Sequence, residues 1–121
     1  MSARILVVDD DETVLSVTHD MLSFIGGYEV VARPNGSEAL STFLGHPKGF
    51  DLVITDHYMS GMTGLELVDK ILEKQPEMPI RILSGSDAEI EPDPRIRRIV
   101  RKPIKIDDLL EAIQEVLQGG A

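Results

Sequence analysis

Five short apolar segments alternate with stretches of helical periodicity along the chain. The segments are residues 4–8, 28–32, 50–55, 80–84 and 98–101. Each is too short for an ordinary helix and most are rich in β-branched residues, which is typical of buried strands. Strands that are apolar throughout indicate a parallel sheet covered by helices on both faces. The pattern therefore predicts an α/β fold built from five β-α repeats.

The predicted helices have apolar positions three or four residues apart, as a core-facing helix requires. These positions are Leu15, Thr18, Met21, Leu22 and Ile25 in the first helix, Leu65, Leu67, Val68, Ile71 and Leu72 in the third, and Leu109, Leu110, Ile113, Val116 and Leu117 in the last. Gly26 and Gly27 are the expected end of the first helix. Ser37 and Asp107 are the expected N-caps of the second and the last helix, and the second ends near Gly45.

The pattern is irregular only between the fourth and fifth strands. The stretch "DAEIEPDPRIRR" contains Pro92 and Pro94, which exclude a long regular helix there. We predict a shortened fourth helix or an irregular loop. Because no linker or repeat interrupts the alternation, residues 1–121 are expected to form a single domain.

Composition narrows the function classes. The chain is 42% hydrophobic and 27% charged, which is typical of a globular protein, and it has no cysteine for disulfides or thiolate metal sites. No apolar run approaches the ~18 residues of a membrane span, and no signal peptide precedes the first strand, so we expect a cytoplasmic protein without membrane contact. The net charge of −9 argues against direct nucleic-acid binding. Six basic residues crowd positions 95–105, which is more typical of a solvated surface than of a binding site.

Polar residues follow the apolar strands at the ends where a parallel sheet places its functional groups. In "LVVDDDETVL" the first strand runs directly into four acids, beginning with Asp9 and Asp10. Asp56 ends the third strand, Ser84 ends the fourth, and Lys102 follows the fifth. The sequence thus predicts that three carboxylates, a hydroxyl and an ammonium group converge on one edge of the sheet.

Crowded carboxylates repel one another unless a cation neutralises them. The donors at this edge are oxygens, without cysteine or histidine, which indicates a hard divalent ion such as Mg²⁺. Asp11 and Glu12 have a simpler explanation, because negative charge is favoured in the first turn of a helix.

The same set of residues suits phosphoryl transfer. A carboxylate can act as the nucleophile and form an aspartyl phosphate. A metal ion and an ammonium group can neutralise charge that develops on the phosphoryl oxygens. Gly85, next to the Ser84 hydroxyl, would let a backbone N–H approach as well.

Four motifs, "ILVVDDDE", "DLVITDHYMSGMTGLEL", "ILSG" and "RKPI", resemble in order and spacing the signature of receiver domains from two-component response regulators. The resemblance covers essentially the whole chain. It implies a flavodoxin-like (βα)5 fold with the doubly wound parallel sheet order 2-1-3-4-5. It also implies a phosphorelay module rather than an enzyme. Such a module takes a phosphoryl group from a histidine kinase or phosphotransfer protein and changes its surface for a partner protein. The last part of the chain also resembles receivers fused to hybrid histidine kinases.

The resemblance assigns the acidic residues. Asp56 would be the phosphoacceptor, and the carboxylates of Asp10 and Asp56 would bind Mg²⁺ together with the backbone carbonyl of Tyr58. Asp9 would act on the ion mostly through bound water. The Tyr58 side chain either overhangs the phosphoryl group or is simply exposed, and the sequence leaves both interpretations open.

The resemblance also assigns the phosphoryl-binding groups. Ser84 occupies the Ser/Thr switch position, and Lys102 would pair with the phosphoryl group. The backbone N–H groups of His57 and Gly85 would face its oxygens. The peptide bond before Pro103 is typically cis in such domains.

The chain departs from the family pattern at its switch. Ile99 occupies the position where many members carry tyrosine or phenylalanine, so an aromatic rotation cannot report phosphorylation. Ser60 replaces the usual proline in "MSGM", and the interval from Ser84 to Lys102 is short. We therefore expect any surface change to centre on residues 84–103.

Two other functions agree less well with the sequence. An aspartyl-phosphate phosphohydrolase of the haloacid dehalogenase type would carry D-x-D after the first strand, whereas this chain reads "DHY" after the third. An interaction domain that had lost phosphorylation would not need to keep the five polar residues at the edge of the sheet. The signalling module is the prediction.

Overall fold

The computed structural model describes residues 3–57, 59, 61–84, 98–101 and 105–117, with positions 84, 98–101 and 116 described through their backbone only. Along the chain these residues form β1 (Arg4–Val8), α1 (Glu12–Asp20), a π-helical turn (Met21–Ile25), β2 (Glu29–Arg33), α2 (Gly36–Gly45), β3 (Leu52–Asp56), α3 (Gly64–Lys74), β4 (Ile80–Ser84), β5 (Arg98–Arg101) and α4 (Ile106–Leu117). The five predicted strands are confirmed, each within two residues of its expected ends.

The strands form one parallel sheet in the order β2-β1-β3-β4-β5. This is the doubly wound order that the resemblance implied. Val8 pairs with Thr55, and Asp56 pairs with Leu83. The carboxyl ends of β1, β3 and β4 therefore lie at the same edge of the sheet.

Both faces of the sheet are buried, which explains why the strands lack a polar face. One face packs under α2 and α3, and its fully buried residues include Leu6, Val8, Ala39, Phe43, Val53, Leu67, Val68, Ile71, Ile80 and Ile82. The other packs under α1, the π-helical turn and α4, with Ile5, Val7, Leu22, Leu52, Ile54, Leu83, Leu109, Ala112 and Ile113.

The starts of two helices differ from the prediction. Ser37 is not the N-cap of α2; the helix begins at Gly36, and Asn35 caps it from an extended backbone through a bond from the Glu38 N–H to Oδ1 at 2.8 Å. The Asn35 amide nitrogen also donates to the Glu38 carboxylate at 2.7 Å, which is a second bond within the same cap. Asp107 is likewise not a cap, since α4 begins at Ile106 and Asp107 lies within the first turn.

The end of the first helix follows the prediction with one change. The α-helix gives way at Met21 to a π-helical turn, which closes when the Gly26 N–H donates to the Met21 carbonyl at 3.1 Å. Gly27 then reverses the chain with a φ of 72°. The wider turn rotates Ile25 away from the core, so this predicted core residue is 65% exposed.

The helix expected between β4 and β5, with Pro92 and Pro94, falls outside the described residues. Among the helices that the structure does describe, none is both long enough and apolar enough to cross a lipid bilayer.

Candidate functional site

Three carboxylates meet at the edge of the sheet where β1 and β3 end. Asp9, Asp10 and Asp56 each offer an oxygen, and these oxygens lie within 4.8 Å of one another. Asp9 is fully buried and Asp56 is 8% exposed, whereas Asp10 faces solvent. The predicted convergence of these three acids is therefore confirmed.

The four consecutive acidic residues at positions 9–12 have two different roles. Oδ1 of Asp9 accepts the Asp11 N–H at 2.9 Å, so the turn after β1 orients this carboxylate. Asp11 is the N-cap of α1, and its Oδ1 accepts the N–H groups of Thr13 and Val14 at 2.9 and 3.2 Å. Glu12 lies in the first turn of the helix, where its charge is favourable. Asp11 and Glu12 thus start the helix, while Asp9 and Asp10 belong to the cluster.

The Asp56 carboxylate is oriented by the backbone of the residue that follows it. The His57 N–H lies 3.0 Å from Oδ1 of Asp56 and 3.1 Å from the Leu83 carbonyl, and is shared between them. The Thr55 hydroxyl donates to the Asp56 carbonyl at 3.1 Å. The backbone N–H of His57 is therefore engaged within the protein, and its expected contact with a phosphoryl oxygen stays a prediction.

The start of α3 packs directly on the backbone that carries Asp56. The Gly64 N–H donates to the His57 carbonyl at 3.0 Å. A Cβ at position 64 would overlap the Asp56 carbonyl oxygen and would lie 3.1 Å from the His57 Cα. Only glycine permits this approach. The sequence analysis missed this residue, because a contact eight positions away in the chain leaves no local signal.

A capping box holds the same helix start. The Glu66 N–H donates to the Thr63 hydroxyl at 3.2 Å, and the Thr63 N–H donates to the Glu66 carboxylate at 3.0 Å. The bond from the Thr63 backbone, then the Thr63 side chain and nearby Lys70, hold the pKa of Glu66 below its ordinary value. The sequence "TGLE" carries the Thr-x-x-Glu signal of this motif and could have revealed it.

The lowered pKa of Glu66 predicts a pH-dependent contribution to stability. Because the pKa is lower in the folded than in the unfolded protein, ionised Glu66 stabilises the fold above its unfolded pKa, and this contribution is lost as pH falls through its folded pKa. Urea unfolding of wild type and Glu66→Gln should differ most near neutral pH and converge in acid. Glu73→Gln, on the exposed side of α3, controls for the loss of one charge. A difference between wild type and Glu66→Gln that is constant with pH would contradict the assignment.

The remaining predicted site residues lie partly beyond what the structure describes. Tyr58, Gly85, Lys102 and Pro103 fall outside the described residues. Ser84 and Ile99 are described through their backbone: Ser84 pairs with Arg101, and Ile99 with Ile82. The register thus brings the ends of β4 and β5 to the edge that carries the acidic cluster.

Comparison with known proteins identifies a family for nearly all of this fold. Residues 5–114 match the family described as Response regulator receiver domain. The transcriptional regulatory protein GlrR of Escherichia coli (strain K12) is 35% identical over 98% of this chain and 27% of its own length. The first curated relatives that match are longer proteins, of which the chain spans between 20% and 27%.

Solved structures of receiver domains are similar to this chain in both fold and sequence. A response regulator receiver domain protein from Clostridium thermocellum is 31% identical, with a TM-score of 0.88 over 96% of this chain and 94% of that chain. The receiver domain of the hybrid histidine kinase CckA is 32% identical, with a TM-score of 0.82 over 96% of this chain and all of the other.

Proposed function

The chain belongs to the response regulator receiver domain family, and on that premise we propose that it accepts a phosphoryl group on Asp56 within a two-component phosphorelay. Receiver domains of two-component systems are signalling modules and not enzymes acting on a separate substrate. The observation that carries the proposal is the meeting of Asp56 with Asp9 and Asp10 at the edge of the sheet.

Asp56 has the position and environment that a phosphoacceptor needs. It is the last residue of a central strand and is almost buried, so little water surrounds its carboxylate. The bond from the His57 N–H to Oδ1 limits its rotation and prepares it for attack. In the transfer, an Asp56 oxygen forms a bond to phosphorus, the phosphorus–nitrogen bond of a phosphohistidine breaks, and the imidazole keeps the electron pair.

The donor set fits Mg²⁺. Asp9, Asp10 and Asp56 supply carboxylate oxygens within 4.8 Å of one another, the ligands that a hard cation prefers. When bound, Mg²⁺ would neutralise the negative charge shared by the cluster and the incoming phosphoryl group. The burial of Asp9 strengthens its attraction for a cation, because charges interact more strongly away from water. We include the Tyr58 backbone carbonyl as a further ligand on the strength of the family resemblance.

The phosphoryl group would be held by residues at the ends of β4 and β5. We propose that the Ser84 hydroxyl and the Lys102 ammonium bind it, together with the backbone N–H groups of His57 and Gly85. Support comes from strand register, since Ser84 follows the partner of Asp56 and lies opposite Arg101, which precedes Lys102. Ile99 at the usual aromatic position and Pro103 after the lysine complete the proposed switch segment.

The proposed partners follow from the same family. The donor would be a histidine kinase or a phosphotransfer protein, and phosphorylation would change the surface near residues 84–103 for a downstream protein. We propose that residues 1–121 act as one receiver domain.

Metal binding provides the direct test of the site. Titration with Mg²⁺, followed by NMR, should shift the amides of residues 9, 10, 56 and 57 at millimolar concentrations, because Mg²⁺ keeps several waters and binds such sites loosely. Asp10→Asn should weaken the affinity about tenfold or more, since even outer groups of metal sites carry effects of that size. Asp20→Asn, at the far end of α1, serves as the matched control. Absence of shifts in the cluster, or equal affinity in both variants, would contradict the proposed site.

A further inference from the structure

The loop that follows Asp56 makes a close contact with a different part of the chain, the start of α2. Gly36 is buried and is the first residue of this helix, and the side chain of Met62 lies against it. A Cβ at position 36 would be 2.8 Å from the Met62 Cβ and 3.1 Å from its Cγ and Sδ. Met62 thus fills the space that any other residue at position 36 would need.

This contact holds the end of the loop that leads into α3. Met59 anchors the first part of the loop in the core beneath α2 and α3, where it is 8% exposed. Gly61 turns the chain with a φ of 82°, and Thr63 then begins the cap of α3. Met62 lies between Gly61 and Thr63, and its half-buried side chain packs against the core.

The connection from β2 to α2 contacts the chain segments that follow both β1 and β3. The Arg33 carbonyl, at the end of β2, accepts the Asp9 N–H at 3.3 Å. Three residues later, Gly36 contacts Met62 of the loop that follows Asp56. A displacement of this connection would therefore disturb the backbone of Asp9 and the loop that follows Asp56.

We propose that Met62 is a positioning residue for the phosphoacceptor site, which it serves by resting on the bare backbone of Gly36. The contact positions the chain between Gly61 and Gly64, and the Gly64 N–H in turn donates to the carbonyl of His57, next to Asp56. The contact also links this loop to the exposed start of α2 at Ser37 and Glu38. This inference rests on the proposed function, because the loop path matters only if the site binds metal and phosphoryl group.

The position of Met62 can be disturbed from either side of the contact. Gly36→Ala adds a methyl group that must push Met62 away, and Met62→Ala removes the side chain without adding bulk. In both variants we expect about tenfold weaker Mg²⁺ binding and about tenfold slower labelling by acetyl phosphate, because small misplacements of reacting groups have effects of this size or larger. Met62→Leu, which keeps a long apolar side chain, should retain values close to wild type.

Gly45→Ala is the matched control, since Gly45 lies in the same helix and a Cβ there meets nothing within 4 Å. Circular dichroism and urea unfolding establish that each variant is folded. Should Gly36→Ala fail to fold, the comparison of Met62→Ala with Met62→Leu still decides the question. Folded Met62→Ala with wild-type Mg²⁺ affinity and labelling rate overturns the inference, even if it is less stable. Wild type that neither binds Mg²⁺ nor accepts the label overturns the proposed function instead, and the inference with it.

Discussion

Asp56→Asn will gain no phosphoryl group from acetyl phosphate and Mg²⁺, whereas wild type will gain one. The amide has almost the shape of the carboxylate, and its oxygen can still accept the His57 N–H that Oδ1 accepts now. The fold should therefore be kept. The neutral amide oxygen is a far weaker nucleophile than a carboxylate, so the loss of labelling should be complete within the sensitivity of intact-protein mass spectrometry.

Asp51→Asn is the control for this experiment. Asp51 immediately precedes β3 at the opposite end of the strand, where its carboxylate accepts the Arg4 N–H at 2.8 Å. This variant has the same change of charge and should label like wild type. If Asp56→Asn still gained one phosphoryl group, the acceptor would be a different residue, and Asp10→Asn would be the next variant to label.

Gly64→Ala will destabilise the folded protein by about 1–3 kcal/mol, the usual cost of forcing a group into a filled space. The added Cβ would overlap the Asp56 carbonyl oxygen, which is backbone and cannot rotate aside as a side chain could. Neither partner can retreat easily, because β3 is held in the middle of the sheet and the Gly64 N–H is bonded to the His57 carbonyl. Urea unfolding measures the change in free energy directly.

Gly45→Ala separates this contact from helix propensity. Each glycine is a terminal residue of its helix, where the preference for alanine is at most the roughly 1 kcal/mol of a helix interior. At position 45, where a Cβ has open space, the substitution should be neutral or stabilising. Equal unfolding free energies for Gly64→Ala and Gly45→Ala would show that the approach of α3 to Asp56 is not as tight as the structure indicates.

The Gly64→Ala substitution also bears on the site, since the same backbone presents the Asp56 carboxylate. A shift of the start of α3 would move the peptide between Asp56 and His57. NMR of the folded variant should show the largest amide changes at residues 56, 57 and 64. Changes confined to the far end of α3, near Lys74, would contradict this description of the contact.

The alternation of strands and helices was readable from the chain because burial on both faces makes the central strands β1 and β3 almost wholly apolar. In "RILVV" every residue after Arg4 is fully buried, so no competing polar pattern obscures the strand. The acids stood out for the same reason: Asp9 and Asp56 come directly after such strands, and parallel strands end at one edge. The resemblance to receiver domains, in contrast, rested on the four sequence motifs and not on hydrophobic periodicity.

Local sequence was less informative about the start of α2, where two nearby residues are both suitable N-caps. Asn35 and Ser37 are both good N-caps, and serine was the wrong choice. The start of α2 must place Gly36, which has no side chain, beneath Met62. This packing requirement comes from Met62, which lies twenty-six positions further along the chain. Local helix and capping propensities therefore cannot predict it.

The sequence by itself determined the fold class, the strands and the acidic residues at their ends, because burial and charge leave periodic or local marks in the chain. Only the tertiary structure decided which backbones approach closely enough to require Gly36 and Gly64. It also decided that a π-helical turn exposes Ile25 and that the Asp11 N–H orients Asp9. The two glycine contacts depend on distances between backbone segments that are far apart in the chain, and these distances are set only once the sheet and helices have packed together. The π-helical turn and the bond to Asp9 are local, but neither leaves a periodic mark in the sequence.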